Sequence, residues 1–181
     1  MSRGSIIRLG LVTIAVVVLQ VSIASQLTVA GVHPEIVWLL PLMVGMLGGS
    51  EAGAGVGFIT GLLLDSLLPT PFGLSALVGT SVGFAAGLMS EQGVLAGGGE
   101  IWWVTPTVGG IGSMLAVLLY ASLGWLFGFA GFFLVNFWVL LPLTLVIGAG
   151  LSIPVSLLVS WSIGDRRPRR RRRRSVQQVA W

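Results

Sequence analysis

Apolar residues along this chain come in long runs separated by short polar stretches, the pattern expected of helices that cross a membrane. About 20 apolar residues in an α-helix cross the roughly 30 Å hydrocarbon core of a bilayer. The first run, residues 9–27, follows Arg3 and Arg8 and predicts one full span. A cleaved signal peptide is the alternative for it, although the apolar region of such a peptide usually has only ~7 to 15 residues.

Five more apolar runs follow, at residues 36–48, 53–68, 74–89, 103–123 and 132–163. The run at residues 36–48 is short for a crossing, and local thinning of the bilayer would match it. The last run is too long for one untilted crossing, and Pro142 and Pro154 can each interrupt its helix. Residues 132–141 are therefore expected to lie partly along the outer interface or to kink into the sixth span. The pattern predicts an all-α, polytopic membrane protein with six transmembrane helices.

Composition supports a membrane protein without a soluble domain. Hydrophobic residues make up 55% of the chain and charged residues 9%, and the mean hydropathy is +0.98, whereas a soluble domain carries roughly 25% charged residues. We expect one membrane domain, residues 1–164, and a disordered cytoplasmic tail, residues 165–181. The chain has no cysteine and a single histidine, His33, so no metal site is expected.

Arginine placement predicts the orientation of the spans. Basic residues close to span ends are retained in the cytoplasm, so Arg3, Arg8 and the basic tail predict that both termini are cytoplasmic. The tail is expected to anchor the chain to the anionic inner leaflet, at about 1 kcal/mol per basic residue. Nucleic-acid binding is disfavoured, because no aromatic residue is interleaved before Trp181 to stack on bases. The arginines expected to form this anchor are Arg166, Arg167, Arg169, Arg170, Arg171, Arg172, Arg173 and Arg174.

Glycine recurs at every fourth position in the middle of the chain. Four residues of α-helix turn about 400°, so these positions form nearly one straight stripe, and small residues let membrane helices approach closely. Two stripes, separated by a turn around residues 69–73, predict a tightly packed hairpin, and a tight turn at residues 48–52 places Gly45 and Gly49 on the preceding helix. Packing inside the hairpin is favoured, and contact with another molecule is the alternative. The predicted packing residues are Gly53, Gly57, Gly61, Asp65, Pro71, Gly73, Gly79, Gly83 and Gly87.

Asp65 continues the first glycine stripe by one step, and an ionisable group at the margin of an apolar run is by default a functional candidate. Three interpretations apply, in order of preference. The carboxylate is a hydrated or capping group at a helix end, a polar contact that holds a partner helix, or a substrate or proton site. No converging set of acid, base, nucleophile or metal ligands accompanies it. We therefore expect no catalytic activity and no cofactor.

Several short segments occur in a characteristic order between residues 34 and 87. The second predicted span opens with PEI at residues 34–36, the third ends in Asp65, the turn after it reads PFGLSAL at residues 71–77, and the fourth contains GFAAG at residues 83–87. In order and spacing these segments resemble the rod shape-determining MreD family of bacteria, and the resemblance extends over roughly residues 6–163.

The resemblance implies a non-catalytic membrane subunit of the elongation machinery, which organises lateral cell-wall peptidoglycan synthesis and cell shape. It implies a place in the bacterial inner membrane, beside an MreC-like bitopic protein, MreB filaments, and the transpeptidase and glycosyltransferase of peptidoglycan assembly. The hairpin of residues 53–87 and its outer turn would position a partner's helix. The run of arginines in the tail departs from the family pattern, which puts a direct contact between tail and filaments in doubt.

A substrate-binding membrane subunit of an energy-coupling-factor vitamin transporter is the alternative, because MreD-like proteins resemble the six-helix plan of such subunits. These subunits usually carry small residues at AxxxA spacing in the first helix for docking. Here Ala15 is followed four residues later by Leu19, and Ala24 by Thr28. Since the docking pattern is missing, the scaffold is the favoured interpretation.

Overall fold

The computed structural model describes residues 3–24, 36–67, 71–94, 103–128 and 137–164. All regular structure in these residues is helical, which confirms the predicted all-α class for this part of the chain. A five-residue π-helical turn, Gln20–Ala24, continues the first helix. The six α-helices are α1 (Arg3–Leu19), α2 (Leu39–Gly48), α3 (Ser50–Leu67), α4 (Leu74–Glu91), α5 (Val104–Leu126) and α6 (Phe137–Ile163).

Four segments of the described chain are long and apolar enough to cross a membrane, which is consistent with an α-helical membrane protein. Their outward faces carry large apolar side chains, among them Leu11, Val146 and Leu157. Apolar patches of this extent are rare on soluble monomers. The four segments are Gly4–Ser22, Leu74–Glu91, Val104–Leu126 and Trp138–Ile163.

The second predicted span differs most from expectation. Helix α2 has ten residues and is therefore about 15 Å long, half of a hydrocarbon core. It lies at the centre of the bundle, in contact with α3, α4, α5 and α6. Its residues from Leu39 to Met46 are all buried, and Gln20 Oε1 accepts a hydrogen bond of 3.0 Å from the backbone N–H of Ile36 just before it.

Helix α3 is also absent from the four apolar segments, because four glycines together with Glu51 and Asp65 dilute its apolar side chains. Four of the six predicted spans thus correspond to helices that are long and apolar enough to cross a membrane.

The described part of the last span is one helix. Pro142 and Pro154 both lie inside α6 and are exposed on its outer face, so the predicted interruption of the helix at these prolines is wrong. Residues 132–136, the start of the piece expected to lie along the interface, are outside the described residues. A helix of 27 residues is about 40 Å long, which exceeds a hydrocarbon core of roughly 30 Å.

The start of α1 and the end of α6 lie together. Ser5 Oγ donates a hydrogen bond of 3.2 Å to the carbonyl oxygen of Ile163, and α1 buries only the narrow stripe of Leu9, Thr13 and Val17. A Cβ built on Gly48 would lie 3.3 Å from the Ile163 side chain, so the turn between α2 and α3 lies here too. We call this end of the bundle the Ile163 end, and the opposite one the Asp65 end.

The central position of α2 predicts that its side chains carry much of the packing energy. Met43 is fully buried, whereas Leu115 on α5 is 54% exposed on the outer face. Met43→Ala should lower the free energy of unfolding by about 2 kcal/mol, because it leaves a cavity between rigid helices. Leu115→Ala is the control and should change it little. Unfolding in detergent micelles measures both, and equal losses would contradict a central α2.

Candidate functional site

Helices α3 and α4 pack antiparallel through glycine backbones. A Cβ added to Gly57 would strike the Gly79 carbonyl oxygen, and a Cβ added to Gly79 would lie 2.5 Å from the Gly57 carbonyl oxygen. Gly53 and Gly83 make the same reciprocal contact. In each of these glycines a Cα hydrogen occupies the position of a Cβ atom and points at a carbonyl oxygen. This geometry gives weak C–H···O bonds at helix interfaces.

Helix α2 joins the same contact through Gly45. A Cβ on Gly53 would lie 2.6 Å from the Cα of Gly45, and a Cβ on Gly45 would lie 3.0 Å from the backbone nitrogen of Gly87. The turn that returns the chain from α2 to α3 is made by Gly49, whose φ of +95° is strained for residues with a side chain. Helix α4 therefore contacts the backbones of both α2 and α3.

The remaining predicted glycines also contact backbone within this chain. Gly61 faces Ala76 and Ser75, and Gly87 faces Ser50. All six glycines of the two stripes in α3 and α4 are thus occupied by neighbouring helices. They leave no glycine surface on this seam for a second molecule.

The Asp65 carboxylate is bound to the start of α4. Its Oδ2 accepts hydrogen bonds from the backbone N–H groups of Gly73 at 2.9 Å and Ala76 at 3.4 Å, and its Oδ1 accepts one from Ser75 at 3.2 Å. The first N–H groups of a helix have no partner within it, and the positive end of the helix dipole favours a negative charge. Asp65 therefore caps α4 from the neighbouring helix.

Hydration of Asp65, part of the preferred interpretation, is wrong. The side chain is 4% exposed, because the turn folds α4 back over it and backbone N–H groups take the place of water. Gly73 makes this turn possible, since its φ of +97° is left-handed. Pro71, the other predicted turn residue, accepts a 3.1 Å hydrogen bond from the Leu74 N–H through its carbonyl oxygen.

Glu91 makes the matching contact at the Ile163 end, and sequence reasoning missed it. Its Oε1 accepts hydrogen bonds from the Ser50 backbone N–H at 2.7 Å and from Ser50 Oγ at 2.9 Å. Ser50 is the first residue of α3, so each helix of the hairpin ends in a carboxylate that caps the other. The signal was present, because Glu91 continues the second glycine stripe by four residues just as Asp65 continues the first.

A second seam of small residues joins α5 to α6 and was not predicted. A Cβ on Gly109 would lie 2.8 Å from the Gly148 carbonyl oxygen, and the reverse contact is also 2.8 Å. Ser113 and Ser152 continue this seam by one helical turn and are buried. The bundle thus contains a second region of backbone contact, apart from the one that α2, α3 and α4 form.

Besides Asp65, the buried polar side chains of the described residues are serines and threonines. In the described ranges no three His, Cys, Asp or Glu side chains converge as metal ligands. Thr60 Oγ1 donates to the Val56 carbonyl oxygen of its own helix, and the buried hydroxyls of Ser75 and Ser113 have no hydrogen-bond partner among described residues. The arrangement holds helix ends in fixed positions. His33, Pro34, Glu35 and the tail arginines Arg166 to Arg174 lie outside the described residues.

Comparison of the chain with protein-family models, with curated proteins and with solved structures finds no match.

The glycine contacts predict a sharp difference between two neighbouring positions. Gly57→Ala should destabilise the hairpin by roughly 1–3 kcal/mol, because its Cβ would meet backbone atoms that can yield only if α4 moves. Gly55→Ala is the matched control on the same helix, since nothing lies within 4 Å of its Cβ position. It should be neutral or raise stability by up to about 1 kcal/mol through helix propensity. Thermal unfolding of both variants in detergent tests this, and equal effects would contradict the seam.

Asp65→Asn tests the interhelical cap. The amide NH₂ group would face backbone N–H donors and leave at least one of them unpaired, so we expect a loss of about 1–3 kcal/mol in the free energy of unfolding. Glu51→Gln removes an exposed carboxylate from the same helix and should cost little. Hydrogen exchange at Gly73, Ser75 and Ala76 should rise in the Asp65 variant alone. Unchanged exchange there would exclude the cap.

Proposed function

We propose that this protein is a non-catalytic integral membrane scaffold of the bacterial elongation complex, which organises lateral cell-wall synthesis and cell shape. The segments that resemble the MreD family, residues 34–36, 65, 71–77 and 83–87, come from one stretch of chain. Those of them that lie in the described residues belong to α3, α4, the residues directly before α4 and Ile36, which lies three residues before α2. Helices α2, α3 and α4 contact one another. The observation that carries the proposal is the capped start of α4, where Asp65 accepts hydrogen bonds from the backbone N–H groups of Gly73 and Ser75. A helix start that is bound to the neighbouring helix suits a protein that positions partners.

We propose six crossings of the inner membrane. Helix α2 and the residues next to it form the second crossing, and α3 forms the third. Both termini are then cytoplasmic, because Ser5 and Ile163 share one end of the bundle and arginines flank both. The Asp65 end faces outward. The tail arginines anchor the cytoplasmic end to anionic lipid.

The outer face of the hairpin is the proposed partner surface, because the glycines are taken up inside the chain. Phe72 is 74% exposed at the turn, and Leu77 and Phe84 follow on α4 at 49% and 43% exposed. The spacing from Leu77 to Phe84 is two helical turns, so both lie on one face. We propose that the transmembrane helix of an MreC-like bitopic protein packs here, and that MreB filaments, the transpeptidase and the glycosyltransferase join through that assembly.

Purification from bacterial membranes with partner identification tests this proposal. The wild-type protein should recover an MreC-like protein and other elongation proteins. Leu77→Trp should lose the MreC-like protein, because the larger ring blocks close approach of a helix. Leu115→Trp on α5 is the control, matched in residue type and exposure, and should retain it.

One outcome would overturn the scaffold, and another would overturn only the proposed partner surface. Recovery of a coupling ATPase in place of elongation proteins would support the vitamin-transporter alternative. Equal recovery of the MreC-like protein by both tryptophan variants would place the contact away from the α4 face while leaving the rod-complex assignment intact.

A further inference from the structure

An arginine and a tryptophan from different helices are stacked on the outside of the bundle near the Ile163 end. The guanidinium carbon of Arg8 on α1 lies 5.2 Å from the centre of the Trp161 ring on α6. Both residues are exposed, Trp161 at 61%. The pair lies on the lipid-facing side of the contact between α1 and α6.

The pair lies within about one helical turn of the Ile163 end of the bundle. Ser5 and Ile163 are hydrogen-bonded at the end of the bundle. At 1.5 Å per residue, Arg8 lies about 4.5 Å and Trp161 about 3 Å further in. Tryptophan is enriched at the boundary between the hydrocarbon core and the headgroups. An arginine that lies slightly below this boundary can extend its side chain to the headgroups.

No carboxylate neutralises Arg8 in the described part of the chain. The Glu91 carboxylate, which lies at the same end, is bound to Ser50. A guanidinium carbon over an indole ring is a cation–π contact, which uses none of the hydrogen-bonding capacity of a carboxylate or phosphate partner. The guanidinium has five N–H donors in a planar fork. Those donors match a phosphate, which accepts two parallel hydrogen bonds.

The surface below the pair is apolar. Leu11 on α1 and Leu157 and Leu158 on α6 are exposed large hydrophobic residues that lie further from the Ile163 end than Arg8 and Trp161. A positive group above an apolar surface between two helices matches a phospholipid, whose phosphate sits above its acyl chains.

We infer that Arg8 and Trp161 form a binding site for an anionic phospholipid, with the lipid phosphate on the Arg8 guanidinium and the acyl chains against α1 and α6. A zwitterionic lipid binds less well, because its own cation is repelled by Arg8. The site is separate from the tail arginines and does not depend on the proposed scaffold function.

Quenching of Trp161 fluorescence by brominated lipids measures which lipid is bound next to this residue and so tests the site directly. The full-length protein is reconstituted in phosphatidylcholine vesicles that contain a minor fraction of brominated phosphatidylglycerol or brominated phosphatidylcholine. The chain has seven tryptophans, so the signal of Trp161 is the difference between wild type and Trp161→Phe. We expect roughly fivefold enrichment of the anionic lipid at Trp161, the equivalent of about 1 kcal/mol for one basic residue at the surface.

Three variants separate this site from general attraction to the membrane. Arg8→Gln should abolish the preference for phosphatidylglycerol at Trp161, whereas Arg170→Gln removes the same charge from the tail and should preserve it. Arg8→Lys keeps the positive charge that directs membrane insertion but loses the planar guanidinium group. It should therefore reduce the preference for phosphatidylglycerol partly. This variant serves as the test if Arg8→Gln fails to insert into the membrane. Each variant is compared with its own Trp161→Phe form.

The outcomes decide between the sources of the phosphate. Inorganic phosphate added to the aqueous phase at constant ionic strength should not reduce the lipid preference. Competition by inorganic phosphate would overturn a lipid site in favour of a free-phosphate site. Equal quenching by both brominated lipids in wild type, or a full preference retained in Arg8→Lys or Arg8→Gln, would overturn the stacked site altogether.

Discussion

Direct contact between the glycine backbones of α3 and α4 is the interaction on which the rest of this bundle depends. Lipid tails are as apolar as leucine side chains, so burying apolar surface gives membrane helices little reason to associate. Association must come from close contact, and Gly57 and Gly79 bring main-chain atoms together with no side chain between them. The same approach brings Gly45 and α2 against α4.

The two carboxylate caps follow from this closeness. A hairpin of two antiparallel helices places the end of each beside the start of the other, and only a short distance between the axes lets a side chain bridge them. Asp65 binds the first turn of α4 and Glu91 binds Ser50. The buried Asp65 cap pairs a carboxylate with helix N–H groups that would otherwise have no partner. The hairpin is therefore held at both ends as well as along its length.

Sequence reasoning succeeded where a local period determines the contact and failed where the surroundings do. A four-residue period in an α-helix aligns glycines whatever else the chain does, so the facing stripes and the turn at Gly49 could be predicted. The burial of α2 could not, because an apolar run has the same composition in lipid and among other helices. The expectation that Asp65 is hydrated was wrong because the path of the next helix decides the partners of a carboxylate near a helix end. Such a carboxylate binds either water or the first N–H groups of that helix. Glu91 could have been found by extending the second stripe. The seam between α5 and α6 has too few regularly spaced glycines to stand out.

The arrangement of α1 constrains the order in which the bundle is completed. Helix α1 leaves the ribosome first among the described helices, yet it packs mainly against α6, which leaves it last. Its narrow buried stripe and its hydrogen bond to Ile163 can form only after all the intervening chain has been inserted. During synthesis, α1 is therefore in the bilayer before its principal neighbour has been made. The last step in the assembly of this bundle is the packing of its first synthesised helix against its last.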